Sequence, residues 1–130
     1  IPYQSMKYPK FDNASYTKYE RYSPNDMKAV VQYAKYRGIR VIPEFDVPGH
    51  ATSWCKGYPE VCPYNGTNSS CNYPLNPATN VTFELIDGLI AESYDNNNIF
   101  FDKYVHMGGD EVNTYCWSND PTIIEWMNQN

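Results

Sequence analysis

The stretch YVHMGGDEV, residues 104–112, sets two adjacent carboxylates, Asp110 and Glu111, directly after two glycines, Gly108 and Gly109. Like charges on neighbouring residues repel, and glycine loses more backbone freedom on folding than any other residue. A second polar cluster, EFDVPGH, offers Glu44, Asp46 and His50, while His106 stands just before the glycines. Carboxylates and imidazoles are the side chains of general acid–base catalysis, and the same residue types ligate cations. In a regular strand successive side chains point to opposite faces. Asp110 and Glu111 can therefore serve one site only where the backbone leaves strand geometry, and Gly108 and Gly109 permit that departure. The structural alternative is a buried ion-pair network. It competes well for Glu44, His50 and His106, but a purely structural pair at 110–111 has no need of two preceding glycines.

The surrounding segments supply elements to hold these groups. SPNDMKAVVQYAKYRG reads as a helix with Ser23 as cap, Pro24 at its first position, Asp26 closing a capping box and Gly38 ending it. Ala29, Val30, Tyr33 and Ala34 form its expected core stripe. Residues 39–46 follow as an expected strand, with Val41, Pro43 and Phe45 on one face and Ile42, Glu44 and Asp46 on the other. Pro43 cannot donate to a ladder and weakens that strand locally. Residues 47–78 form a long Pro/Gly/Asn/Cys-rich loop that the cysteines are expected to order. A second helical pattern runs through Phe83, Leu85, Ile86, Leu89 and Ile90, a second strand ends at Gly108, and a third helix opens with Asp120 as cap and Pro121. Helix-to-strand steps of this kind belong to parallel α/β folds. The expected fold class is α/β, an incomplete slice of a (β/α)8 barrel with about two βα units, where reactive groups sit on loops at strand C-termini. The beginning, IPYQSMKYPK, has no leader pattern, and the chain ends within a helical pattern. Residues 1–130 are expected to be part of one catalytic barrel domain, truncated at both ends.

Composition narrows the class. With 42% apolar and 16% aromatic residues the chain is globular rather than disordered. Its net charge of −5 and scattered lysines make nucleic acid and anionic membrane poor partners, and no apolar run is long enough for a membrane span. The singly spaced Lys and Glu residues read as solvated surface. Cys55, Cys62, Cys71 and Cys116 lack the paired spacing of a zinc site, which favours disulfides. Of the three connectivities that four cysteines allow, Cys55–Cys62 with Cys71–Cys116 is favoured. Asn13, Asn65, Asn68 and Asn80 each open an N-x-[ST] glycosylation acceptor. Disulfides and acceptors together point to the secretory route.

RGIRVIPEFDVPGHATSW, followed by VHMGGDEVN and CW, resembles the family-20 glycoside hydrolases, the β-N-acetylhexosaminidases. Their H-x-G-G-D-E signature is matched by His106, Gly108, Gly109, Asp110 and Glu111. The resemblance implies an exo-glycosidase, lysosomal or secreted, acting on N-acetylhexosamine-terminated oligosaccharides or glycoconjugates with no cofactor and no metal. It also implies a homo- or heterodimer of the full-length enzyme and a disulfide joining the long loop to Cys116. The family is an exception to the two-carboxylate pattern of most glycosidases, because the substrate's own acetamido group is the nucleophile. Glu111 is then the proton donor and acid/base, Asp110 orients the acetamido group and stabilises the oxazolinium, and Asp46, His50, His106 and Glu44 support them. Trp54 is either a sugar-stacking platform or a packed loop anchor, and Trp117 reads as structural. Two rival readings are a metal-dependent barrel hydrolase using His50, Asp46, His106 and Asp110 as ligands, and an inactive sugar-binding module.

Overall fold

The computed structural model describes residues 3–66, 74–96 and 98–130. Helix α1, Pro24–Lys35, begins at the expected capping box: the Ser23 side chain accepts from the Asp26 N–H, and the Asp26 carboxylate accepts from the Ser23 N–H. Gly38, at φ +70°, lets the chain turn back so that the Ile39 N–H reaches the Ala34 carbonyl at 3.0 Å, which closes the helix as a Schellman motif. The buried face differs from the expected stripe. Val31 and Ala34 are buried, and Met27 packs beside Val31 against Ile99, Phe100 and Val41. Val30 and Tyr33 are 54% and 61% exposed. The Arg37 guanidinium instead lies 3.3 Å from the Tyr33 ring centroid, covering an aromatic face by cation–π contact.

The two expected strands meet, but among the described residues they form a single parallel bridge, Glu44 to His106, rather than a ladder. Pro43 is one physical reason, since it has no N–H to give; its carbonyl does accept from the His106 N–H at 2.9 Å. The pairing continues through Phe45 N–H to the His106 carbonyl and Val47 N–H to the Met107 carbonyl, at 2.9 and 3.0 Å. The expected face alternation holds through Phe45, with Val41, Pro43 and Phe45 half-buried and Ile42 and Glu44 exposed, and breaks at Asp46, which is half-buried against the glycine turn.

Residues 47–78, expected as ordered loop, carry short helices where described: α2, Thr52–Gly57, and 3-10 turns at Pro59–Val61 and Pro63–Gly66. Cys55 and Cys62 are joined by a disulfide. Around it a core forms from Val47, Ala51, Val61, Leu75 and Leu85, with Phe11, Trp54 and Tyr58 packed alongside. The third helix, α3, runs Asn80–Ala91 and buries Thr82, Leu85, Gly88 and Leu89, whereas Phe83 from the expected stripe is 56% exposed.

Segment 3–22 is held by a residue read as solvated surface. Glu92 is 3% exposed and accepts from the Ser5 hydroxyl at 2.5 Å and from the Met6 and Lys7 N–H groups at 2.7 and 2.9 Å. Three charge-assisted bonds compensate the loss of hydration that burial imposes on a carboxylate. Beyond α4, Tyr115–Asn119, the buried Asp120 caps α5, Pro121–Gln129, by accepting from the Thr122 and Ile123 N–H groups. Its second oxygen accepts from the Tyr64 N–H at 2.6 Å, tying the cysteine loop to the C-terminal helices.

Candidate active site

The parallel register brings Asp46 against the glycine turn. The Gly109 N–H donates to Asp46 Oδ1 at 3.1 Å. A Cβ on Gly108 would lie 1.9 Å from that same oxygen and 2.8 Å from the Asp46 Cα, so no side chain fits there. Gly108 and Gly109 have φ of +64° and +101°, the left-handed region that glycine enters without steric cost. The turn then hands the strain to Glu111, which has φ +52°, and His50 on the facing loop has φ +50°. A non-glycine residue held this way costs of order 1–3 kcal/mol, and such strain concentrates at functional sites. Gly49 completes the fit: a Cβ there would lie 3.2 Å from the Asp110 carbonyl oxygen, so the two loops touch through their main chains.

His50 bridges the two loops through its side chain. Its Nδ1 lies 2.5 Å from Asp46 Oδ2 and its Nε2 lies 3.3 Å from Glu111 Oε2. An ionised carboxylate can only accept, so the proton between Asp46 and His50 sits on Nδ1, leaving Nε2 to exchange a proton with Glu111. The hydrogen bond from His50, followed by that from the Gly109 N–H, holds the Asp46 carboxyl below its ordinary range. Reciprocally, the bond to Asp46 raises His50 above the ordinary imidazole value, with its approach to Glu111 adding to the shift. Asp46, His50 and Glu111 thus form a continuous proton path with the carboxyl of Glu111, 80% exposed, at its open end.

Asp110 lies on the same side, with a carboxylate oxygen within 4.8 Å of ligand atoms on both Asp46 and His50. These are three of the four groups named for the cation alternative, but Asp46 and His50 already bond each other. The fourth, His106, is not part of that cluster among the described residues; its Nδ1 accepts from the Gly108 N–H at 3.0 Å, with Glu44 Oε1 3.3 Å away. The six titratable groups picked from sequence therefore gather at one end of the paired segments. Trp54 is half-buried and meets Phe11 edge-on at 5.4 Å, which makes it a packed anchor of α2.

Sequence reasoning missed the clamp on these loops. The Leu75 N–H donates to the Pro48 carbonyl at 2.8 Å, while the Leu75 carbonyl accepts from the Trp117 indole at 3.0 Å. One buried residue, Leu75, thereby connects the loop bearing His50 to the segment after Glu111; the tryptophan of CW was its only signal, and Trp117 is structural as expected. Cys116 is buried and disulfide-bonded, whereas Cys71 lies outside the described residues. Of the glycosylation acceptors, Asn13 and Asn80 are exposed, Asn65 lies in the turn Pro63–Gly66, and Asn68 is outside the described residues.

A sequence model of glycosyl hydrolase family 20, catalytic domain, matches residues 2–130. Beta-hexosaminidase 3 of Arabidopsis thaliana is 45% identical over 127 residues, covering 98% of this chain and 22% of its own length. Human beta-hexosaminidase subunit beta is 40% identical over 133 residues, covering 99% of this chain and 23% of its own. Among solved structures, the chitobiase of Flavobacterium johnsoniae superposes with a TM-score of 0.80 at 28% identity, over 98% of this chain and 20% of that one. The chain thus spans about a fifth to a quarter of the length of these relatives. With a match along nearly its whole length and a paired-loop site built on the H-x-G-G-D-E residues, this chain belongs to glycosyl hydrolase family 20.

Proposed function

We propose that these residues form part of the catalytic (β/α)8 barrel domain of a β-N-acetylhexosaminidase, contributing about two of its βα units. The enzyme removes terminal non-reducing N-acetylglucosamine or N-acetylgalactosamine from glycoconjugates or chito-oligosaccharides. The observation that carries this reading is the Asp46–His50–Glu111 path ending on an exposed carboxyl beside Asp110.

The reaction needs one proton shuttle. The acetamido carbonyl oxygen of the substrate attacks C1 while the C1–O bond to the leaving group breaks and Glu111 delivers its proton to the departing oxygen. Asp110 accepts from the acetamido N–H, orients it and offsets the positive charge of the oxazolinium. Water then adds to C1 as the C1–O bond of the oxazolinium breaks and restores the acetamido group, Glu111 takes the water's proton, and two inversions leave the configuration retained. Asp46 and His50 hold the Glu111 side chain and buffer its charge through both steps. Residues that grip the sugar hydroxyls are expected elsewhere in the full-length protein, so residues 1–130 alone are expected to be inactive.

The disulfide Cys55–Cys62 and the exposed acceptors Asn13 and Asn80 support a lysosomal or secreted location, and no helix among the described residues is long and apolar enough to cross a membrane. A homo- or heterodimer is the assembly proposed for the full-length enzyme.

The test is hydrolysis of chitobiose by the full-length protein. Glu111→Gln is expected to lower kcat by roughly 10²–10⁴-fold, the usual worth of a general acid, while EDTA leaves the parent activity intact. Unchanged turnover in the variant, or equal cleavage of a glycoside bearing a plain hydroxyl at position two, rejects the mechanism.

A further inference from the structure

His106 presents one nitrogen to two partners that make opposite demands on it. Its Nδ1 accepts the Gly108 N–H at 3.0 Å, which requires a bare lone pair. Glu44 Oε1 lies 3.3 Å from the same nitrogen and, being an acceptor, can bond it only when it carries a proton. The Gly108 bond fixes the first peptide of the turn that swings Asp110 and Glu111 out of strand geometry. That turn has no slack on its other side, where Asp46 fills the space a Gly108 side chain would need.

We propose that His106 is a positioning residue whose Nδ1 lone pair sets the Gly108–Gly109 turn by accepting the Gly108 N–H. The inference rests on the hexosaminidase reading for its effect on turnover, but not for the hydrogen bond itself. In the neutral ring the proton sits on Nε2, Gly108 is held, and the two acids stand in register with His50. The charged groups beside the ring are Glu44, on the paired segment, and Asp46, across the bridge.

The experiment compares full-length parent, His106→Leu and His106→Asn on an aryl N-acetyl-β-glucosaminide at neutral pH. Leucine removes the acceptor and is expected to lower kcat roughly 10- to 100-fold, the scale of a misplaced catalytic group, with KM within about twofold of the parent. Asparagine offers an oxygen near the Nδ1 position and is expected to recover most of the loss. Equal loss in the asparagine and leucine variants, or a leucine variant with the parent's kcat, overturns the proposal. The ring can also be read without activity: 15N shifts of the histidines in the labelled parent, with His106 assigned by its absence in the variants, are expected to give a bare Nδ1 at neutral pH. A protonated Nδ1 there overturns the proposal even if every glycosidase assay succeeds, whereas an inactive parent with a bare Nδ1 rejects the function and leaves the turn assignment standing.

Discussion

At the scale of single residues, the site is a problem of where protons rest. Asp46 and His50 shift in opposite directions because each stabilises the charged form of the other. A carboxyl held below its ordinary value of 3.8 contributes stability that is present above 3.8 and is lost as pH falls through the lower folded value. An imidazole held above 6.5 contributes stability that is complete below 6.5 and is lost as pH rises through the higher folded value. The pair is therefore fully formed between those limits, in mildly acidic solution. Asp46→Asn, which keeps an oxygen for the Gly109 N–H, is expected to destabilise the full-length protein most within that window and progressively less as His50 loses its charge. Urea midpoints of parent and variant over a pH series test this, and a difference that stays constant with pH would mean that charge plays no part. These six titratable residues were legible in the sequence because their types are costly to cluster without a purpose. Their connectivity was not, since nothing in residue type says that Asp46 faces a glycine N–H on another segment.

At the scale of elements, local rules and long-range packing divided the outcome. The caps at Ser23, Asp26 and Asp120 were readable because each acts within three residues of itself. The buried faces were less readable. Val30 and Val31 are equally apolar, and only the position of Ile99 and Phe100 decides that Val31 turns inward. Glu92 was misread because its partners lie more than eighty residues upstream. Gly88 shows the same conflict in energetic terms. Mid-helix glycine gives up about 1 kcal/mol relative to alanine, yet a Cβ there would lie 2.0 Å from Tyr8 Oη and 2.7 Å from Lys7 Nζ. Tyr8 has little room to yield, because its hydroxyl donates to the Glu84 carbonyl at 3.1 Å and its ring meets Phe11 and Tyr58 edge-on. Overpacking of this kind costs about 1–3 kcal/mol, so Gly88→Ala is expected to destabilise the protein despite its better helix propensity. In a Tyr8→Ala background the same change is expected to stabilise it. A double-mutant cycle by chemical denaturation measures the coupling, and a stabilising Gly88→Ala in the parent would show that Tyr8 moves freely.

For the molecule as a whole, the two acid-bearing loops are held from outside the paired segments as much as from within. The Cys55–Cys62 link closes α2 onto the turn that follows it, with a sequence separation of 7. A loop of that length is worth about 2–3 kcal/mol on chain-entropy grounds, so replacing both cysteines by serine is expected to lower the stability of the full-length protein by about that amount. A variant that denatures at the parent's urea midpoint would show the link to be dispensable. The feature with the widest reach is the bare contact at Gly49. Because peptide rests against peptide there, no exchange of rotamers can widen or narrow the gap between the two backbones that carry His50 and Glu111. Warming that sets side chains in motion leaves this backbone spacing untouched until the loops themselves part, so the frame beneath the two groups should hold up to the temperature of local melting.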